Sequence, residues 1–235
     1  MLCFIKGDNP IKLFPKDKKY TLLIRSLSGH LNFFLANSAT SMVPISLAMI
    51  CWQTSPFWIS IIARFWLKEP IIYLELLGML ICFAMVSLIA FQASKEDERA
   101  LENEGEEDSN KGHEFVGIML MIVAAIMYAI IAVSSRNLKE TPPAIILFYH
   151  CIIGFVIISI YILIEYGITK ELRMREYTLE MWLIVLGGAF FDCFSMLATT
   201  LAYRYDRAGF TGLISYVIIV YSFMCDLIVF QEKLS

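Results

Sequence analysis

Long apolar runs dominate the chain, and a bilayer sets their lengths. Seven windows qualify, at residues 22–42, 46–66, 71–92, 115–134, 144–165, 180–203 and 208–230. Each is close to the roughly 20 residues that a helix needs to cross about 30 Å of hydrocarbon. Backbone N–H and C=O groups in lipid must be paired within the segment, and a helix pairs its own. Runs such as GIMLMIVAAIMYAIIAV do not alternate polar with apolar, which excludes barrel strands. The pattern predicts an all-α, polytopic membrane bundle of about seven transmembrane helices.

Composition agrees: 58% of residues are hydrophobic, 17% are charged and the mean hydropathy is +0.67. A globular core of this length could not hide so much apolar surface. The N-terminal twenty residues lack the apolar stretch and small-residue cleavage site of a signal peptide. The polar stretches divide the chain into a cytosolic tail or loop at 1–21, a first repeat at 22–92, an acidic loop at 93–114 and a second repeat at 115–235. The acidic loop, SKEDERALENEGEEDSNKGHE, reads as solvated chain. Lys and Arg on the side of the N-terminal tail outnumber those on the other side by twelve to seven, which predicts a cytosolic N-terminus. The membrane could be the plasma membrane or an internal one. The six cysteines have no paired C-x-x-C spacing, and they read as small buried hydrophobes, not as metal ligands or disulfides.

The chain also repeats itself. FWLKEPI at 65–71 and VFQEKLS at 229–235 each end an apolar run in Glu, and a shift of 163 residues lays Glu69 on Glu232, Leu67 on Phe230 and Ala39 on Ala202. The same shift superposes the first two windows on the sixth and seventh. Five spans separate the copies, an odd number, so the second copy crosses in the opposite sense. Inverted repeats of this kind are built around a midplane site that is exposed to each side in turn.

Two segments carry a family resemblance. SATSMVPISLAMICWQTSPFWISIIARFWLKEPI is similar to the third-to-fourth helix region of the drug/metabolite transporter superfamily, whose EamA-type repeat has an sPlf…LkEpi pattern. LAYRYDRAGFTGLISYVIIVYSFMCDLIVFQEKLS resembles that family's eighth-to-ninth helix region, with A-x-R-Y…A-G…S-Y…D-x-x-x-F-x-E-x-x-S. Within the superfamily the chain most resembles group G of solute carrier family 35, over residues 22–235. The resemblance implies ten helices in two fives with both ends cytosolic, of which this chain matches helices three to nine. It implies a chain that lacks counterparts of helices one, two and ten, and a Glu that ends the fourth helix of each half.

Polar residues inside lipid are costly and mark interior faces or wet paths. Ser26, His30, Asn37 and Ser41 fall within about 60° on the first span. Ser46, Gln53, Pro56 and Ser60 gather on the second, Gly188, Asp192, Ser195 and Thr199 on the sixth, and Thr211, Ser215, Ser222 and Asp226 on the seventh. Asp192 stands out because it lies near mid-span. It is read as a proton or cation carrier, a partner for a cationic substrate group, or a static partner of His30 or His150. Asp226 and His150 read as structural, the latter as a satisfied bundle histidine, and Glu69 and Glu232 as interfacial groups that pair with a cation or fix the next connection. Pro56 predicts a kink in the second span. Gly187 and Gly188 would permit close helix approach.

No nucleophile elbow, metalloprotease helix, phosphate loop or dinucleotide fingerprint appears, so an enzyme is excluded. A seven-span receptor is excluded too, because the third and seventh spans end LIAFQASK and IVFQEKLS, without the D-R-Y and N-P-x-x-Y of rhodopsin-like receptors. The expectation is a secondary transporter that holds a small organic solute between the first, second, sixth and seventh spans. Its substrate-binding residues are His30, Asn37, Gln53, Asp192, Ser195 and Ser215, with no catalytic residue, metal or cofactor. Membrane lipid, the solute and a second copy of the chain are the expected partners, and nucleic acid is not. The alternative is a non-transporting membrane adaptor, a truncated relative that keeps the scaffold.

Overall fold

The computed structural model describes residues 15–81, 83–85, 87–88, 111–170 and 178–217. Helices account for nearly all of them, and no strand occurs among the described residues. After a single 3-10 turn at Lys16–Lys18 come α1 (Lys19–Thr40), α2 (Ile45–Trp52), α3 (Ser55–Trp66) and a helical stretch α4 at 73–81. Then follow α5 (Lys111–Asn137), α6 (Pro143–Thr169), α7 (Leu179–Tyr205) and α8 (Ala208–Ile214). Three of the described helices, Phe115–Asn137, Pro143–Ile168 and Leu179–Tyr205, are long and apolar enough to cross a membrane. The acidic loop up to Asn110, Asp226 and Glu232 lie outside the described residues.

The second window departs from expectation. It is two helices, α2 and α3, separated by a turn at Gln53 and Thr54, and not one kinked span. Pro56 is the cause: it has no N–H for the carbonyl four residues back and its ring crowds that carbonyl. It therefore sits in the first turn of α3, where a missing N–H does no harm. The Phe57 N–H turns to Thr54 O at 3.1 Å, which frees the Gln53 carbonyl. That carbonyl accepts the Tyr216 hydroxyl at 2.8 Å.

The chain clusters into two compact units, residues 1–30 with 134–205, and residues 31–133 with 206–235. The second unit carries the repeat. Here α8 begins 163 residues after α2, at Ala208 against Ile45, and it too stops after about two turns, at a turn formed by Ser215 and Tyr216. Gly209 and Gly212 let α8 lie on α3: a Cβ at Gly209 would stand 3.1 Å from Ser60 Oγ, and one at Gly212 would stand 3.5 Å from Pro56 Cα. Going up α8 from 209 through 212 to 216 meets Ser60, then Pro56, then Gln53. The two segments are therefore antiparallel. Gln53 and Tyr216, joined by their hydrogen bond, are themselves 163 positions apart. That separation is the interval of the sequence repeat. The core of this unit packs Ala39 and Val43 of α1 and its following turn, Ala48 and Cys51 of α2, and Met121 and Ala124 of α5.

In the first unit, Pro142 and Pro143 start α6, and Lys170, with φ of 54°, ends it in a left-handed residue. Two cations close the helix ends on one side: Lys18 Nζ donates to Asn137 O at 2.9 Å and Arg136 Nη1 to Arg204 O at 2.8 Å. Cations at these C-terminal carbonyls complement the helix dipoles of α5 and α7.

Candidate functional site

The first unit contains a polar layer beneath an apolar cap. Leu22 of α1, Leu138 after α5 and Ile146 of α6 form a buried cluster, with Tyr149 packed on it. One helical turn deeper on the same faces lie Ser26, Ser134 and His150. Arg25 lies beside Ser26 and is only 2% exposed. Its Nε donates to Ser135 Oγ at 2.8 Å and its Nη2 to Thr200 Oγ1 at 2.9 Å. Thr200 spends its own proton on Met196 O at 2.7 Å, so its lone pairs face the guanidinium. Both partners of Arg25 are neutral hydroxyls, and no carboxylate bonds it among the described residues.

At the lower edge of this layer His150 stacks on a second histidine, His30. The rings of His30 and His150 are 4.3 Å apart and 6° from parallel. His30 Nε2 lies 3.2 Å from the His150 carbonyl oxygen, and because a carbonyl only accepts, Nε2 carries the proton. Each ring rests on a glycine of the facing helix. A Cβ at Gly154 would lie 2.5 Å from His30 Cε1, and one at Gly29 would lie 2.7 Å from His150 Cε1. Glycine is required at both positions for α1 and α6 to approach this closely.

Five buried polar side-chain atoms lack a hydrogen-bond partner among the described residues: Arg25 Nη1, Ser26 Oγ, Ser134 Oγ, His150 Nδ1 and Ser87 Oγ. All but the last belong to this one layer. His150 is thus not the satisfied bundle histidine that the sequence suggested: its ring is stacked, and one of its nitrogens is unmet. A buried polar atom without a partner costs about 1–3 kcal/mol, and a charged one costs more. Such a concentration needs a physical reason.

The six residues expected to bind substrate are dispersed. His30 is in the stack. Asn37 is exposed and donates to Phe33 O of its own helix at 2.7 Å. Gln53 is buried at the break between α2 and α3. Ser215 donates to Gly212 O at 2.6 Å. Asp192 and Ser195 are exposed on α7, and no described hydrogen bond or ion pair joins Asp192 to His30 or His150. The described hydrogen bonds of these residues run to other partners and not to one another. Gly187 and Gly188 have nothing within 4 Å, so they are not used for close approach here. Cys51 is buried as expected, whereas Cys151 and Cys193 are exposed.

Sequence reasoning missed Arg25 because it was counted among the charges that orient the chain. The signal was available: it lies inside the first apolar window, and an intramembrane ionisable residue marks function by default. Glu69 acts at a distance instead of on the next connection. The left-handed Lys68, with φ of 57°, turns the chain at the end of α3, and Glu69 Oε2 accepts the Ala208 N–H at 3.2 Å, fixing the start of α8. A cavity of about 10 Å³, room for one water, is lined there by Ser60, Glu69, Glu75 and Arg207.

Apolar helices of spanning length and a repeated helix pair define a polytopic helical membrane protein. The chain belongs to the EamA-like transporter family, which matches it over residues 1–91 and 115–235. That is a family of membrane transporters of the drug/metabolite superfamily, not of enzymes. No curated protein matches the chain.

Proposed function

We propose that the protein moves a small organic solute across a membrane by alternating access, in the manner of group G of solute carrier family 35. The observation that carries this reading is the family match across both repeats. The 163-residue sequence repeat supports it: its copies start five spans apart, and inverted copies provide two related conformations at little structural cost. His30, Asn37, Gln53, Asp192, Ser195 and Ser215 are the proposed contacts to solute or coupling ion along its path.

Counterflow tests the reading. The purified chain is reconstituted in liposomes preloaded with one unlabelled solute at a time, from a panel of organic acids, amino acids, sugar phosphates and nucleotide sugars. The expected result is saturable accumulation of the matching labelled solute, inhibited by external unlabelled excess. Leakage equal to that of protein-free liposomes across the panel would overturn the reading and leave the adaptor alternative.

A further inference from the structure

We infer that Arg25, Ser26, Ser134 and His150 form a binding site for an oxyanion, the carboxylate or phosphate group of the transported solute. The inference rests on the transporter reading and deepens it by naming the substrate class.

The charge balance comes first. Arg25 is a permanent cation, 2% exposed, and its described partners, Ser135 and Thr200, are both neutral. Taking a guanidinium out of water without a counter-charge costs several kcal/mol. The C-terminal ends of α5 and α7 offset part of that cost through their dipoles, but they leave Nη1 and its two N–H groups unmet. A buried water could accept one of these hydrogens, yet it would leave the charge uncompensated.

The donor set then selects the ligand. Nη1 can only donate. Ser26 and Ser134 are both fully buried, and each brings a hydroxyl that has no partner. His150 Nδ1 can carry a proton. The four side chains come from three helices: Arg25, Ser26 and Ser134 about one turn below the Leu22, Leu138 and Ile146 cluster, and the His150 ring beside Gly29, the next turn of α1. Carboxylate and phosphate oxygens are acceptors that take two parallel N–H groups from one guanidinium, and their charge is the one missing here. The two hydroxyls could also accept, but a cationic or purely hydrogen-bond-donating ligand would leave Nη1 unmet and its charge uncompensated.

The test is equilibrium binding to the full chain in nanodiscs of zwitterionic phosphatidylcholine. Thermal unfolding is followed while succinate or inorganic phosphate is titrated in, with chloride at matched ionic strength and neutral succinamide as controls. The expected result is a saturable rise in the unfolding midpoint with succinate or phosphate and none with succinamide or chloride. Arg25→Gln weakens that affinity by at least about tenfold, and Arg25→Lys, which keeps the charge but loses the fork, by less. Ser26→Ala and Ser134→Ala remove one hydroxyl each and nothing else. They weaken binding several-fold, and because each removes a buried hydroxyl without a partner the unliganded midpoint does not fall, which keeps the test open if the arginine variants fail to fold.

The site assignment falls if neither anion saturates on the wild-type chain, or if the serine variants bind both anions with wild-type affinity. It also falls if phosphatidylglycerol in the disc raises the midpoint and abolishes the response to soluble anion, because the group bound is then a lipid headgroup. Anion binding without uptake in liposomes would sink the transporter reading and spare the site. Uptake of a neutral solute without anion binding would do the reverse.

Discussion

Replacing Gly154 with alanine is expected to destabilise the protein by about 1–3 kcal/mol, the usual range for overpacking a close contact. The added Cβ would lie 2.5 Å from His30 Cε1 and 2.9 Å from Nε2, well inside van der Waals contact. The ring cannot simply swing away, because it is stacked on His150 at 4.3 Å and its Nε2 is engaged by the His150 carbonyl. Chemical unfolding in detergent measures the loss. The cause is checked by a second substitution: in a His30→Ala background the same Gly154→Ala change should cost little, a coupling that appears only when the two positions touch. An equal cost in both backgrounds would show that the glycine is needed for another reason.

Tyr216→Phe is expected to cost a similar amount, about 1–3 kcal/mol, although it removes a single oxygen. The hydroxyl serves the Gln53 carbonyl at 2.8 Å, a carbonyl left free where α2 gives way to α3. Both residues are buried, with Tyr216 5% exposed and Gln53 4%, so water cannot readily replace the lost donor. Deleting one partner leaves the other with its full desolvation penalty. Chemical unfolding of the wild-type and Tyr216→Phe proteins in detergent measures the loss, and equal midpoints would show that the hydroxyl contributes nothing.

Much of the fold was legible because bilayer physics leaves few options. Window lengths near 20 residues identified the long helices α1, α5, α6 and α7. The 163-residue shift, based on Glu69 and Glu232, turned out to relate Gln53 to Tyr216 as well. What the periodicity missed was the interruption of the second span. A proline in an apolar window reads as a kink, and only the exchange of backbone partners around Thr54 converts it into two helices.

The candidate site was less legible. Polar stripes report which residues share a face, but they do not say what each face meets. His30 was found this way, and Ser26 lay on the same stripe. Asn37 and Ser215 turned out to bond carbonyls within their own turns, as small polar side chains in helices often do. Arg25 was passed over because it is one residue off the stripe and close to the end of its window, where a cation usually reaches back to water. Here it runs inward to Ser135 and Thr200 instead. Those partners are 110 and 175 residues away in sequence, so no local pattern reveals them.

The transport reading expects the two copies to cross the membrane in opposite senses, and that orientation can be measured. Epitope tags placed at the N-terminus and, in a separate protein, in the connection near Arg173 each stand immediately before one copy. Cells are stained before and after selective permeabilisation of the membrane that carries the protein. The account predicts the two tags on opposite faces, with the N-terminal tag cytosolic. Both tags on the same face would mean that the copies cross in the same sense, and the inverted-repeat transporter would be ruled out.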